Sequence, residues 1–184
     1  MISFNPDALY DGRGWRATAG DALTIRWRRP NHAAMNGPSH MHRALEEAEK
    51  AAERDEVPVG AVLVDGTTGK VIAAAGNRTE NDNDPTAHAE MLVIRAAAER
   101  RRSPRLDGCD LYVTLEPCPM CASAISLARV RRLYFGAYDP KGGGVEHGAR
   151  VFEQASCHHR PEVYGGIDET QSAELLKRFF RERR

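Results

Sequence analysis

The feature that most constrains the fold is an alternation of short strand-like and helix-like segments after residue 38. Apolar runs bounded by turn residues predict strands, and apolar residues at helical spacing predict helices. The predicted strands are residues 59–64, 71–75, 110–115, 132–135 and 162–165; the predicted helices are residues 39–53, 87–101, 119–129 and 169–184, with a short helical piece around Val151 and Phe152. This alternation predicts an α/β fold, a three-layer α/β/α domain with a mixed sheet of about five strands.

Residues 1–38 differ from the rest of the chain. They contain scattered glycines and arginines and no sustained periodicity, so we interpret them as a flexible arm or as sequence upstream of the true start. Met35 and Met41 are plausible alternative initiators. A chain of 184 residues is long enough for one domain with a sizeable core and too short to expect two, which places the domain in residues 39–184.

The composition, 41% hydrophobic and 28% charged, is ordinary for a soluble protein. No apolar run approaches the roughly 20 residues that span a bilayer, and the N-terminus lacks a secretory signal, so we expect a cytoplasmic protein without a membrane segment. The formal net charge is zero, so the total charge argues neither for nor against binding to nucleic acid. The last eight residues are strongly basic, which fits either a solvated helix end or a phosphate-binding surface.

Two motifs carry the chemistry: His88-Ala89-Glu90 and Pro117-Cys118-Pro119-Met120-Cys121. Each lies where a strand or loop gives way to a helix. Cysteines three apart on a helical turn project to the same side, so both sulfurs can bind one ion. A helix N-terminus also favours negative charge and lowers the pKa of a thiol, which promotes the thiolates that bind zinc.

His88 supplies a third ligand to such a zinc ion. Two thiolates and one imidazole leave the fourth tetrahedral position to water, which is the arrangement of a catalytic zinc. Such a site lowers the pKa of the water from about 15.7 toward about 7. Glu90 does not share a helix face with His88, so we expect its carboxylate beside this water, where it can transfer protons, rather than on the metal.

A closed structural zinc site is the alternative, with Cys118 and Cys121 completed by Cys157 and by His158 or His159. It leaves His88 and Glu90 without a role. The two motifs together, in this order, match the signature of zinc deaminases of nucleobases. Cys109 precedes an apolar strand and is expected to be a buried small hydrophobic residue.

The chain resembles the bacterial tRNA-specific adenosine deaminases of the cytidine-deaminase-like superfamily from about residue 39 to the end. The resemblance is carried by residues 57–62 (Val-Pro-Val-Gly-Ala-Val), 76–78, 84–90, 111–118, 135–139 and 175–184. The metal motifs mark the superfamily, whereas the lead-in Asp84-Pro85-Thr86 and the terminal Phe-Phe-Arg-Glu-Arg-Arg of residues 179–184 indicate the tRNA branch.

This resemblance implies a zinc-dependent homodimer that converts the wobble adenosine of an arginine tRNA anticodon to inosine. The reaction is a hydrolytic deamination at C6 of adenine, in which Glu90 protonates the ring nitrogen and then the departing ammonia. The base must leave its stack, at a cost of a few kcal/mol, and the largely unpaired bases of an anticodon loop lower that cost.

The resemblance also assigns substrate contacts. Asn77 would hydrogen-bond the flipped nucleoside, and Asp139 would face the ribose. The residues expected to line the base are Ala87 and Cys118 at its edge and Val59 and Leu115 near its plane. The residues expected to contact RNA phosphates are Lys177, Arg181, Arg183 and Arg184. Phe179 and Phe180 are expected to be core anchors.

Two other functions explain part of the sequence. A deaminase of free nucleobases or nucleosides, of the guanine or cytosine type, would need the same zinc site and leaves the basic terminus unexplained. A non-catalytic RNA-binding partner subunit could keep zinc for folding, but it would have no need of Glu90 as a proton carrier.

Overall fold

The computed structural model describes residues 40–183. The arm of residues 1–38 and the predicted phosphate contact Arg184 lie outside the described residues, and the expectations for them stay predictions. In chain order the elements are α1 (His40–Glu53), β1 (Gly60–Asp65), β2 (Val71–Gly76), α2 (Ala89–Arg101), β3 (Cys109–Leu115), α3 (Pro119–Leu127), β4 (Arg132–Ala137), a 3₁₀ turn (Val151–Glu153), β5 (Glu162–Tyr164) and α4 (Glu169–Arg181).

The five strands found in this part of the chain form one mixed sheet in the order β2-β1-β3-β4-β5. β1 is antiparallel to both β2 and β3, whereas β3, β4 and β5 run parallel to one another. The parallel pairs are joined by crossovers that contain α3 and the segment between β4 and β5, as parallel connections require. The predicted mixed sheet of about five strands is confirmed.

Helices cover both faces of the sheet, and the residues of β1 show why. Ala61 and Leu63 point into the larger core, which they share with apolar residues of α2 and α3. Val62 and Val64 point to the opposite face, where they pack against Met41 and other residues of α1. This alternation follows from the two-residue period of a strand. The predicted three-layer α/β/α arrangement is therefore confirmed, with α4 lying on the same side as α1.

No helix within residues 40–183 is both long enough and apolar enough to cross a membrane.

The helix ends differ from the sequence prediction by a few residues. α3 ends at Leu127 and not at residue 129, because Arg129 adopts a positive φ of 57° and the next amide, at Val130, bonds back to the carbonyl of Ile125. α2 begins at Ala89 and not at residue 87, because the Ala87 amide bonds to the Asp84 carbonyl in the preceding turn. Cys109 is the buried first residue of β3, in agreement with its expected role.

Ser172 of α4 generates a prediction about stability. Its Oγ is the buried side-chain polar atom that lacks a hydrogen-bond partner within residues 40–183, and its side chain packs directly on Gly136 of β4. An unsatisfied buried hydroxyl costs about 1–3 kcal/mol, so Ser172→Ala should leave the free energy of unfolding unchanged or raise it by about 1 kcal/mol in urea titrations. Ser172→Val should lower it by about 1–3 kcal/mol, because Gly136 leaves no room for the added methyl groups. A clear loss of stability in Ser172→Ala would contradict this view of the hydroxyl.

Candidate metal centre and active site

The first turns of α2 and α3 meet at the carboxyl edge of β3. His88 is the N-cap residue of α2 and Cys118 is the N-cap residue of α3, and both have extended backbones, with ψ of 149° and 170°. Pro119 occupies the first turn of α3, where its missing amide hydrogen costs no helical bond. Cys121 lies one turn into α3 and is buried. The local sequence therefore places three ligand-type side chains at two converging helix N-termini.

These three side chains fit a zinc ion. The Nδ1 atom of His88 lies 3.5 Å from Sγ of Cys121 and 3.7 Å from Sγ of Cys118, and the three ligand atoms all lie within 4.8 Å of one another. In a tetrahedral zinc site with ordinary bond lengths, a nitrogen and a sulfur ligand are separated by about 3.6 Å. The donor atoms thus already have the spacing and the chemical character that zinc requires.

The two thiols interact with each other and with His88. A hydrogen bond with Cys121 lowers the pKa of Cys118 to about 4, and the same interaction raises the pKa of Cys121. The hydrogen bond with Cys118 also raises the pKa of His88. Both hydrogen bonds favour the thiolate form of Cys118, and the N-terminus of α3 adds a favourable dipole. The electrostatics of the site therefore favour the binding of a cation.

Glu90 lies beside the clustered ligands without being one of them. It is in the first turn of α2 and is 3% exposed. Burial raises its pKa, and a hydrogen bond with Cys121 acts against that rise. Within residues 40–183, the cluster that could hold a metal consists of His88, Cys118 and Cys121. The carboxyl group of Glu90 is thus adjacent to the ligands and available for proton transfer.

One wall of the site is built around Asn77. Its side-chain oxygen Oδ1 accepts a hydrogen bond of 2.9 Å from the Ala89 amide, and its own backbone amide donates to the carbonyl of Val59 at 2.9 Å. Ala87 is buried, and its carbonyl accepts a bond from the amide of Arg78. The structure therefore brings Val59, Asn77 and Ala87 together at the start of α2, next to His88.

The adjoining side of the site follows β3 and β4. Leu115 pairs with Ala137 in the parallel ladder, and Asp139 follows two residues later. Ala61 pairs with Val113, so the antiparallel register, continued by two residues, places Val59 opposite Leu115. The residues expected to pack near the base plane are thus neighbours across two strands.

Asp139 also organises its own loop. Its Oδ1 atom accepts bonds from the amides of Lys141 at 3.1 Å and Gly142 at 2.9 Å, and its carbonyl accepts a bond from the amide of Gly143 at 3.0 Å. The sequence did not predict that Asp139 would stabilise this turn. The role is compatible with a ribose-facing position, although Oδ1 of the carboxylate is used by the turn.

Two buried glutamates next to the site were missed by the sequence reasoning. Glu56 accepts bonds from the hydroxyl of Thr79 and the amides of Glu80 and Asn81. Glu116, which directly precedes Pro117, accepts bonds from the loop after β4. The sequence signal for such a residue is an acidic side chain at the end of an apolar segment. This signal does not identify the residues that donate hydrogen bonds to it.

Cys157 and the two following histidines are not part of the metal cluster. The Sγ atom of Cys157 lies 3.3 Å from Oγ of Ser126 and donates to the carbonyl of His159, and the His159 ring bonds to the carbonyl of Val130 at 2.7 Å. These contacts attach the segment after the 3₁₀ turn to α3. The structure gives no support to the alternative structural site.

The predicted phosphate contacts of α4 fall into two groups. Lys177 and Arg181 are exposed and line a groove between α1 and α4, together with Glu46, Glu49 and Glu174. Arg183 is already engaged: it forms an ion pair with Asp55, and its guanidinium lies 3.6 Å above the ring of Phe179.

The two phenylalanines of α4 differ in burial. Phe179 is buried, as expected of a core anchor, and Phe180 is only half-buried against it.

Comparisons with known proteins agree with this site. Residues 36–137 match the family described as the cytidine and deoxycytidylate deaminase zinc-binding region. The chain is 63% identical over 144 residues to the tRNA-specific adenosine deaminase of Agrobacterium fabrum, a match that covers 78% of this chain and 93% of the relative. A solved structure from work on "A-to-I Editing by tRNA:A34 Deaminases at the Wobble Position of Transfer RNA" is 63% identical, with a TM-score of 0.72, and the match covers 74% of this chain and 98% of that one.

A guanine deaminase from Nitrosomonas europaea shares the fold with a TM-score of 0.68 at 23% identity, over 89% of this chain and 98% of that one. The family match and the fit of the ligand atoms confirm zinc as the expected cofactor. The chain therefore belongs to the cytidine and deoxycytidylate deaminase zinc-binding family and, within it, to the tRNA-specific adenosine deaminases.

Proposed function

We propose that this protein deaminates adenosine to inosine at the wobble position of tRNA, in the anticodon stem-loop of an arginine tRNA. The observation that carries the proposal is the identity of 63% to a tRNA-specific adenosine deaminase, across nearly the whole length of that relative. The geometry supports it, because a metal-ligand cluster, a buried carboxyl group and two loop walls meet at one edge of the sheet.

In this proposal His88, Cys118 and Cys121 hold the zinc ion and Glu90 moves protons. When bound, zinc supplies Lewis-acid activation of water at neutral pH. Glu90 accepts one proton from the attacking water and delivers it to N1 of adenine. It then takes the second proton of that water from the C6 hydroxyl of the adduct and passes it to the amino group, which leaves as ammonia. Its burial at 3% exposure keeps bulk water away from the carboxyl group during these transfers.

Asn77 is proposed to read the flipped nucleoside. Because its Oδ1 atom is already bonded to the Ala89 amide, its Nδ2 group is the part left to donate to a substrate acceptor. Val59, Ala87, Cys118 and Leu115 are proposed to surround the base, and Asp139 to face the ribose; these roles stay predictions.

We also propose a homodimer that joins at the outer faces of α2 and α3. Leu127 at the end of α3 is 81% exposed, and Met91, Leu92 and Met120 are partly exposed on these helices. Apolar side chains grouped on the outer face of a domain mark a protein interface. The cytoplasmic location expected from the sequence stays a prediction.

A deaminase of free bases is the second candidate, favoured by the shared fold of the guanine deaminase from Nitrosomonas europaea. At 23% identity that likeness concerns the fold alone. The third candidate, a non-catalytic RNA-binding subunit, is disfavoured by a buried glutamate held against the metal ligands.

The zinc assignment predicts which cysteines are needed. Cys118→Ala and Cys121→Ala should lose their zinc, and their thermal stability should fall, because the ligands tie the starts of α2 and α3 together. Cys157→Ala is the matched control and should keep one zinc ion per chain, measured by elemental analysis. Full zinc content in Cys118→Ala would disprove the ligand assignment, and zinc loss in Cys157→Ala would favour the structural site.

The substrate assignment predicts that the purified protein converts adenosine to inosine in an anticodon stem-loop and leaves free adenosine, guanine and cytosine unchanged. Glu90→Gln should retain zinc and lose turnover by about 10²–10⁴-fold, because a neutral amide cannot transfer the protons. Glu99→Gln, on the exposed side of the same helix, should behave as wild type. Turnover of free guanine or cytosine without turnover of the stem-loop would establish the second candidate instead.

The basic helix predicts a salt-dependent RNA affinity. A double variant Lys177→Ala/Arg181→Ala should bind the stem-loop more weakly, and its log–log salt slope should fall by roughly 0.7–0.9 for each phosphate that no longer has a cationic partner. Arg102→Ala/Arg105→Ala changes two exposed arginines at the far end of α2 and is the control for total charge. Equal affinity and slope in both variants would mean that Lys177 and Arg181 belong to a solvated face.

A further inference from the structure

The carboxylate of Glu116 is buried and makes an unusually complete set of hydrogen bonds. Its side chain is 0% exposed. Oε1 accepts bonds from the amides of Val145 at 3.3 Å, Glu146 at 2.9 Å and His147 at 2.8 Å, and Oε2 accepts bonds from the amide of Asp139 at 3.1 Å and from the ring Nδ1 of His147 at 2.7 Å. An ionised carboxylate offers acceptors only, so Nδ1 of His147 carries its hydrogen. These five donors replace the water that the carboxylate loses on burial.

All five donors belong to one segment, residues 139–147, which we name the glycine loop after Gly142, Gly143 and Gly144. Glu116 holds both ends of this loop, because Asp139 begins it and His147 ends it. The loop follows β4 at the carboxyl edge of the parallel strands, which is the usual place for ligands in such sheets.

The middle of the glycine loop touches the turn that carries the metal ligands. The Gly144 amide donates to the carbonyl of Pro117 at 2.8 Å. A Cβ atom on Gly144 would lie 2.5 Å from the nitrogen of Pro119 and 2.8 Å from the carbonyl carbon of Cys118, so the two backbones are in direct contact. The loop is therefore a wall of the site, and Glu116 attaches it to the strand that ends at that site.

We propose that Glu116 and His147 are positioning residues that hold the glycine loop in the conformation that receives the RNA. This inference rests on the proposed function, because it assigns the loop to substrate binding. Neither side chain belongs to the metal cluster formed within residues 40–183, and neither takes part in the proton transfers assigned to Glu90. Loosening the loop therefore weakens binding of the anticodon stem-loop and leaves the chemical step intact.

Glu116→Gln tests this proposal with little change of shape. A glutamine side chain has one oxygen and one NH₂ group where the carboxylate has two oxygens. In either orientation the NH₂ group faces N–H donors, which then lose the oxygen that accepted their hydrogen bonds. With hydrogen bonds to a charged group each contributing substantially, we expect KM for the anticodon stem-loop to rise about tenfold, with kcat within about twofold of wild type and with full zinc content. His147→Ala removes the hydrogen bond of its ring and the edge contact of that ring with Tyr138, keeps the backbone donor, and should raise KM about threefold.

Amide hydrogen exchange gives a readout that needs no substrate. In Glu116→Gln, without RNA, the amides of Val145, Glu146 and His147 should exchange faster than in wild type, while amides of β3 do not change. Glu153→Gln, an exposed carboxylate just beyond the loop, is the matched control and should leave both KM and exchange unchanged.

Four results would overturn the proposal: unchanged exchange of the loop amides, an unchanged KM in Glu116→Gln, a fall in kcat without a rise in KM, or a loss of zinc. The last result would assign Glu116 to the support of the metal centre. If Glu116→Gln does not fold, His147→Ala decides by the same KM criterion, because it keeps the carboxylate and its backbone donors. A wild-type protein that does not act on the stem-loop would refute the proposed function instead.

Discussion

The convergence of two helix N-termini on one metal-ligand cluster is the constraint on which the rest of the site depends. His88 and Cys118 cap α2 and α3, so each helix starts at a ligand and its dipole favours negative charge there. Hydrogen bonds with Cys121 and His88 lower the pKa of Cys118, and the first turn of α2 places the buried carboxyl group of Glu90 beside these residues. The ligand atoms lie within 4.8 Å of one another only because both helices pack on the same face of the sheet.

The mixed sheet explains how distant segments reach this cluster. β3 and β4 are parallel, so Leu115 and the loop that begins at Asp139 leave the sheet at the same edge. β1 is antiparallel to β3, so it starts where β3 ends and places Val59 at that edge. β2 in turn ends there, and Asn77 follows directly. An all-parallel sheet would separate Val59 from Leu115 by the length of a strand.

The sequence predicted the local features and missed the long-range ones. The order of the elements and the helix starts at the two motifs follow from patterns a few residues long, and the structure has them within a few positions. The ligand cluster is the exception: it joins His88 to Cys118 and Cys121, 30 and 33 positions away, and it was predicted from the shared chemistry of the two motifs. The bonds of Glu116 to His147 and of Glu56 to Asn81 join residues 31 and 25 positions apart, and the ion pair of Arg183 with Asp55 spans 128 positions. Tertiary packing determines which residues form these contacts, and no periodicity in the sequence predicts them. The roles assigned to the substrate-contacting residues stay predictions for the same reason.

A guanine deaminase shares this fold at 23% identity, so the fold alone does not determine the substrate. Each of the two loops that border the cluster donates hydrogen bonds to a buried carboxylate. The segment after β2 donates to Glu56, and the glycine loop donates to Glu116. A buried carboxylate is stable only while its donors are in place, so each loop conformation is coupled to the folding of the core. These bonds fix the walls of the site without any contribution from a substrate. Preorganised walls reduce the ordering cost of binding, which leaves more of the contact energy to extract a base from its stack.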